Sequence, residues 1–186
     1  MEKQRIKPKQ GSILISEPSL RDFYFRQSVV LLAEHNDEGT FGVIINKPIE
    51  ARIKDIIKGF PGYNMPLFLG GPVKTDSLFF IHTRSDVDQS VPIMQGLYWG
   101  GDLDAIKTML KNKIMSPGEI RFFVGYSGWS ANQLERELRE KSWVLSQTTV
   151  MEVINDHPEK LWSDYLKSMG QDYAIWANFP ADPTSN

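Results

Sequence analysis

The stretch IRFFVGYSGWSANQLE, residues 120–135, decides how the chain is built. Its first part, IRFFVGY (120–126), is an apolar run of strand character, and Ala131, Leu134 and Leu138 then recur at helical spacing. Gly125, Ser127 and Gly128 lie between the two patterns. A serine at a strand-to-helix crossing raises the question of a nucleophile. A nucleophile elbow is written G-x-S-x-G, however, and Trp129 stands where its second glycine belongs. The spacing therefore favours a purely architectural reading. Gly125 and Gly128 supply backbone angles for a tight crossing. Ser130 caps the helix, and Gln133 completes an S-x-x-Q capping box. Glu135–Arg139 and Glu137–Lys141 follow as i,i+4 pairs on the solvent face.

The rest of the chain is read outward from this crossing. ILI (13–15) predicts a short strand, and SVVLLAEH (28–35), nearly continuous in apolar residues, predicts a buried one. NDEG (36–39) is a turn cluster and TFGVIIN (40–46) the returning strand of a hairpin, stopped by Pro48. Ile53, Ile56, Ile57 and Phe60 have helical spacing, with Gly59 as a stop. PLFLGGP (66–72) and SLFFIHT (77–83) read as strands, and residues 84–95 as a polar surface loop. Asp102 caps a helix striped by Leu103, Ile106 and Leu110. SWVLSQTTVM (142–151) suggests a strand. Pro158 opens a helix whose apolar side carries Leu161, Trp162, Tyr165, Leu166 and Met169, and NFPADPTSN (178–186) is an irregular tail. Hairpins come first and helices are interspersed later, which predicts a mixed α+β domain and not a regular βαβ array.

At 186 residues the chain has the length of one domain. MEKQRIKPKQ (1–10) reads as a basic, flexible tail, leaving 11–186 as a single domain. A net charge of −2 gives no global reason to bind nucleic acid or an anionic membrane. The absence of cysteine excludes disulfides, thiolate catalysis and zinc–thiolate sites, and fits a cytoplasmic protein. No apolar run approaches the roughly 18 residues of a membrane span.

His35, His82 and His157 are the three histidines; none has the i,i+4 partner of a helical metal site, so no metal or cofactor is expected. Gly70-Gly71 and Gly100-Gly101 fit no phosphate-loop pattern and read as turns. Most of the tryptophans are core candidates. Trp129, at a loop end, is the one best placed to anchor a ligand or partner.

Several blocks together carry a family pattern: GSILISEPSLRDFYFRQSVVLLAEHNDEGTFGVIINKP, LFLGGPV, FFIHT, GYSGWSANQLERELREKSW and GQDYAIWANFPADP. In their order and spacing the chain resembles the YqgE/AlgH family of small bacterial proteins. The resemblance implies an α+β fold with a bifurcated mixed β-sheet that includes a small closed barrel, surrounded by helices. It brings no established catalytic residues, and some members are labelled transcriptional regulators. Gln27 and Lys47 stand where arginine is expected, and Ser127 where alanine is common. A family that manages with alanine there does not use a serine nucleophile.

The expected function is a non-enzymatic binding or regulatory module, possible routes to transcription included, acting on an unknown protein partner or small ligand. Glu34, His35, Asn46 and Gln133 exceed what packing requires. With His82, Ser127 and Trp129 they form the candidate binding patch, expected to gather near Trp129. A DNA-associated regulator is the alternative. It conflicts with the charge and with a helix, 131–141, that carries three acidic and three basic residues. A hydrolase using Ser127 with His35 or His82 is the third reading.

Overall fold

The computed structural model describes residues 7–154 and 156–179. The first six residues of the basic tail, and residues 180–186 of the C-terminal tail, lie outside the described residues. In chain order the strands are β1 (Ile13–Ser16), β2 (Val29–Asn36), β3 (Gly39–Ile44), β4 (Pro48–Arg52), β5 (Pro66–Leu69), β6 (Val73–His82), β7 (Val91–Met94), β8 (Leu97–Trp99), β9 (Ile120–Ser130) and β10 (Trp143–Ser146). The α-helices are α1 (Ile53–Ile56), α2 (Leu103–Lys111), α3 (Gln133–Arg139), α4 (Val150–Val153), α5 (Leu161–Ser168) and α6 (Gln171–Ala174).

β9 is the axis of the sheet. Along one edge it pairs antiparallel with β6. Along the other it pairs first with β5, parallel, over Phe122–Val124, and then with β3, antiparallel, over Ser127–Ser130. The sheet forks where β9 changes partner. One arm runs β3-β2-β1-β10 and the other carries β5 and β4, while β6-β8-β7 continues from the opposite edge.

The expected closed barrel is corrected here. Strands β2, β3, β9, β6, β8 and β7 curl until β7 comes alongside β2, but no ladder joins them. Pro92 in β7 has no N–H to offer a ladder. The gap is bridged by a side chain instead: Gln10 Nε2 donates to the carbonyls of Ala33 and Pro92, each at 2.9 Å. The last residue of the stretch read as a tail is thus the link across an open seam.

Both faces of the sheet are covered, which is why its strands read as continuous apolar runs. Ile13, Ile15, Leu31, Val43 and Phe123 face a core sealed by α4 and α5. The alternate residues Leu14, Val30, Leu32 and Ile44 face a second core closed by α3. Ile120 and Phe122 of β9 meet Ile106 and Leu110 of α2 in a third. Trp162 of α5 locks on by donating from its indole to the Ser16 carbonyl at 2.9 Å.

Several boundaries differ from expectation. β9 runs on through Ser130, so Gly125 and Ser127 lie inside a strand and not at its exit. Pro48 begins β4 rather than ending structure, and α1 is a single turn. β7 and β8 occupy a segment read largely as loop; they are short edge strands turning at Gly96. Residues 150–153 form a helix, because Thr149 and Glu152 make a reciprocal capping box.

The fork depends on a close crossing of two backbones. A Cβ on Gly71 would lie 2.3 Å from the Tyr126 backbone, and one on Gly125 would lie 2.5 Å from the Gly71 carbonyl. Gly125 also has φ +70, in the left-handed region. Gly125→Ala should cost at least about 3 kcal/mol, combining strain and overpacking. Gly59 has a similar φ of +76 but open space around it, so Gly59→Ala should cost only about 1–2 kcal/mol. Urea unfolding of the two variants checks the difference; equal costs would mean that the crossing adds nothing.

Candidate functional site

The residues expected to form one patch divide between opposite faces and the interior. Register puts His35, Thr40 and Trp129 in one row across β2, β3 and β9, on the α3 side. The next row, Glu34, Phe41 and Gly128, faces the other way.

On the α3 side, His35, Trp129 and Gln133 do come together. His35 Nδ1 is 2.6 Å from Thr40 Oγ1, and its Nε2 is 3.6 Å from a Glu135 carboxylate oxygen. Gln133 Oε1 accepts from the Ser130 N–H at 3.0 Å, which is half of the expected capping box. The other half is absent: the Ser130 hydroxyl turns to the same Gln133 oxygen at 3.2 Å, and the N-cap position falls to Asn132. At the centre is Glu137. It accepts from the indoles of Trp129 and Trp143, each at 2.8 Å, and from Gln133 Nε2 at 2.9 Å. The carboxylates expected to pair with Arg139 and Lys141 are therefore turned inward, Glu135 to His35 and Glu137 to the indoles.

Asn46, His82 and Ser127 lie elsewhere, each holding backbone together. Asn46 accepts from Val29 N at 2.8 Å and donates to the Gln27 carbonyl at 2.9 Å. Next to it, Lys47 Nζ donates to the Tyr24 carbonyl at 2.6 Å; burial and then Arg26 push its pKa down to about 8. Ser127 is fully buried and donates to the Gly70 carbonyl at 3.0 Å. His82 is fully buried and stacked on Tyr98. Its Nδ1 accepts from Arg84 N at 3.2 Å, so the proton is on Nε2, which donates to the Gly100 carbonyl at 2.9 Å. Burial holds its pKa below the ordinary histidine value. His82 aligns with Ile120, and His35 through Thr40 with Trp129, nine positions on (120 to 129). That is about 25–30 Å of strand, so the two imidazoles do not meet.

Glu34 belongs to an open hollow of about 390 Å³ on the other face. Phe41, Tyr126 and Val73 make its floor, and Glu34, Asn36 and Glu38 its rim. The Phe41 and Tyr126 rings meet edge to face at 6.0 Å. An aromatic floor under a carboxylate rim suits a cationic group.

A family model described as AlgH-like (DUF179) matches residues 13–174. The chain belongs to the AlgH-like family. It is 43% identical to a UPF0301 protein of Bacteroides thetaiotaomicron, an alignment that covers all of this chain and 95% of that one. It is 44% identical to a UPF0301 protein of Cytophaga hutchinsonii, covering 95% and 98% of the two chains. The solution structure of the AlgH protein from Pseudomonas aeruginosa matches with a TM-score of 0.74 at 25% identity, over 94% of this chain and 97% of that one. The crystal structure of protein DIP2367 from Corynebacterium diphtheriae shares the fold, with a TM-score of 0.77 at 22% identity and 95% coverage of both chains.

In this AlgH-like chain the sequence reading missed Glu137, Glu135 and Thr40. A carboxylate on a short amphipathic helix looks like a solvent-facing residue. Its indole partners come from β9 and β10, and only the fold brings them to it. The one available signal was the concentration of Trp129 and Trp143 on either side of α3.

Glu137→Ala leaves two indole N–H groups and an amide without their acceptor. It should cost about 3 kcal/mol in urea unfolding and alter tryptophan emission. An unchanged midpoint would remove Glu137 from the centre of this network. His82 gives a pH dependence of known sign. The unfolded chain takes up a proton as pH falls through the ordinary value of 6.5, whereas the folded chain does so only lower. Stability is therefore held above that value and lost as pH falls below it. Denaturant midpoints between pH 7 and 5 should decline, and His82→Gln should flatten the slope while lowering stability throughout.

Proposed function

We propose that this AlgH-like chain is a non-enzymatic binding module, with the hollow between Glu34 and Tyr126 as its contact surface for a basic segment of a partner protein. The observation that carries the reading is the use of Ser127. Its hydroxyl is buried and donates to the Gly70 carbonyl, which weighs against the nucleophile that the hydrolase reading needs. His82 is likewise committed to backbone through both ring nitrogens. The hollow is rimmed by the carboxylates of Glu34 and Glu38 and the amide of Asn36 around aromatic rings, a lining that suits a cationic group.

Any influence on transcription would act through such a protein contact. Direct DNA binding draws no support from a net charge of −2, nor from a hollow with a carboxylate rim, which repels phosphate.

The test is isolation of the tagged protein from its native cells, as wild type and as the double variant Glu34→Lys/Glu38→Lys, with and without nuclease. A partner protein that survives nuclease and is lost from the double variant is the expected result. Retention by the double variant would move the contact elsewhere. Co-isolation that vanishes with nuclease would favour the DNA-associated alternative.

A further inference from the structure

The seam between β2 and β7 opens beside the hollow, and the N-terminal segment crosses it. Gln10 is held to the carbonyls of Ala33 and Pro92, and Gly11 N donates to the Leu32 carbonyl at 2.8 Å. Ala33 is followed by Glu34 of the rim, and Phe41 of the floor lies opposite Glu34 in the ladder. On the other side of the seam Val91 pairs with Trp99, whose ring meets Phe41 at 5.3 Å. The chain before Gln10 is thus anchored at the edge of the hollow.

That chain is MEKQRIKPK (1–9), with Lys3, Arg5, Lys7 and Lys9 against Glu2. The hollow is its complement in charge. Glu34, Asp37 and Glu38, around the β2–β3 turn, are all exposed. One oxygen of Glu34 accepts from Asn36 Nδ2 at 2.6 Å, and among the described residues none of the three carboxylates is in an ion pair. Lys7 and Lys9 are exposed and, among the described residues, also outside any ion pair. An extended chain spans about 3.3 Å per residue, so Arg5 can lie up to about 17 Å from the anchored Gln10 and Lys3 up to about 23 Å. Both distances reach across the rim. A planar guanidinium stacks on aromatic rings while its N–H groups meet carboxylates, and Phe41 and Tyr126 below Glu34 and Glu38 offer both.

We infer that the first occupant of the hollow is this chain's own N-terminal segment, with Lys3 and Arg5 on the rim carboxylates and Arg5 over Phe41 and Tyr126. The inference rests on the reading of the hollow as a contact surface for basic segments, and adds its regulation. A short tether holds the segment at an effective concentration of about a millimolar, so even a weak contact fills the hollow. A partner gains the surface only by displacing the segment, which selects for partners that carry more positive charge or bind at more than one point.

The chain has no cysteine, so Gln4→Cys takes a single nitroxide label and keeps every cation of the segment. In the full chain the label should broaden the backbone amide NMR signals of Glu34, Phe41, Tyr126 and Gly128 at low salt. The broadening should fall severalfold in 1 M salt, where charges are screened beyond about 3 Å, and in Glu34→Lys/Glu38→Lys. A synthetic peptide of residues 3–7, KQRIK, should shift the same amides and bind severalfold more tightly to Lys3→Glu/Arg5→Glu than to the wild type. Absence of broadening overturns the inference. So does broadening that survives both salt and charge reversal, since it would reflect the nearby anchor alone. If the peptide binds the wild type and Lys3→Glu/Arg5→Glu equally, the hollow takes basic segments but not its own, and only this inference falls. If the peptide binds neither, the reading of the hollow falls with it.

Discussion

The carbonyl of Gly70 holds the sheet's fork together. It accepts from Ile44 N at 2.9 Å, at the end of β3, and from the Ser127 hydroxyl in β9 at 3.0 Å. The N–H of the same residue donates to the Val124 carbonyl at 2.9 Å. Three strands that part from one another are thus tied at a single residue. The approach is possible only because Gly70, Gly71 and Gly125 present no Cβ to each other. Every later feature follows from this knot. It frees the second half of β9 to pair with β3, carries Trp129 to α3, and leaves β5 beside Arg121.

A forked sheet has more surface to cover than a flat one of the same length, and the helices are distributed accordingly. α2 closes the core beside β5 and β6, α3 the core behind β1 to β3, and α4 with α5 the core inside the curl. Short helices suffice because each covers one patch and is fixed by a specific hydrogen bond, such as Trp162 to Ser16 or Glu137 to the two indoles. Where no helix is available, at the seam between β2 and β7, the amide of Gln10 spans the gap. A side-chain bridge satisfies carbonyls that would otherwise face one another across an unpaired edge.

How much of this was legible in the sequence depended on how local the signal was. The β2–β3 hairpin, α2 with its Asp102 cap, and α5 were readable because period, cap and stop all lie within a dozen residues. β7 and β8 were hidden because Pro92 and Gly96 are loop signals, which edge position makes compatible with pairing. Residues 150–153 carry β-branched valines, yet the Thr149–Glu152 box outweighs that preference and makes a turn of helix. The extension of β9 through Ser130 could not be seen locally, since it is β3 that holds those residues extended. The candidate patch was the least legible part. His35, Trp129 and Gln133 share a face, but Glu34 points the other way, and only the register with Phe41 reveals it.

The motif residues also show why polar residues in a sequence pattern are a poor guide to where a protein acts. Asn46, His82 and Ser127 look like chemistry in a sequence, and in the fold each satisfies backbone groups at a strand end or crossing. Such residues are demanded by architecture, because a buried carbonyl or N–H left unpaired costs more than most single packing contacts contribute. Arg121 extends the same case: its guanidinium lies over the Phe68 ring and donates to the Val153 carbonyl at 2.8 Å, so the charge that interrupts the apolar run of β9 also satisfies backbone, where α4 ends.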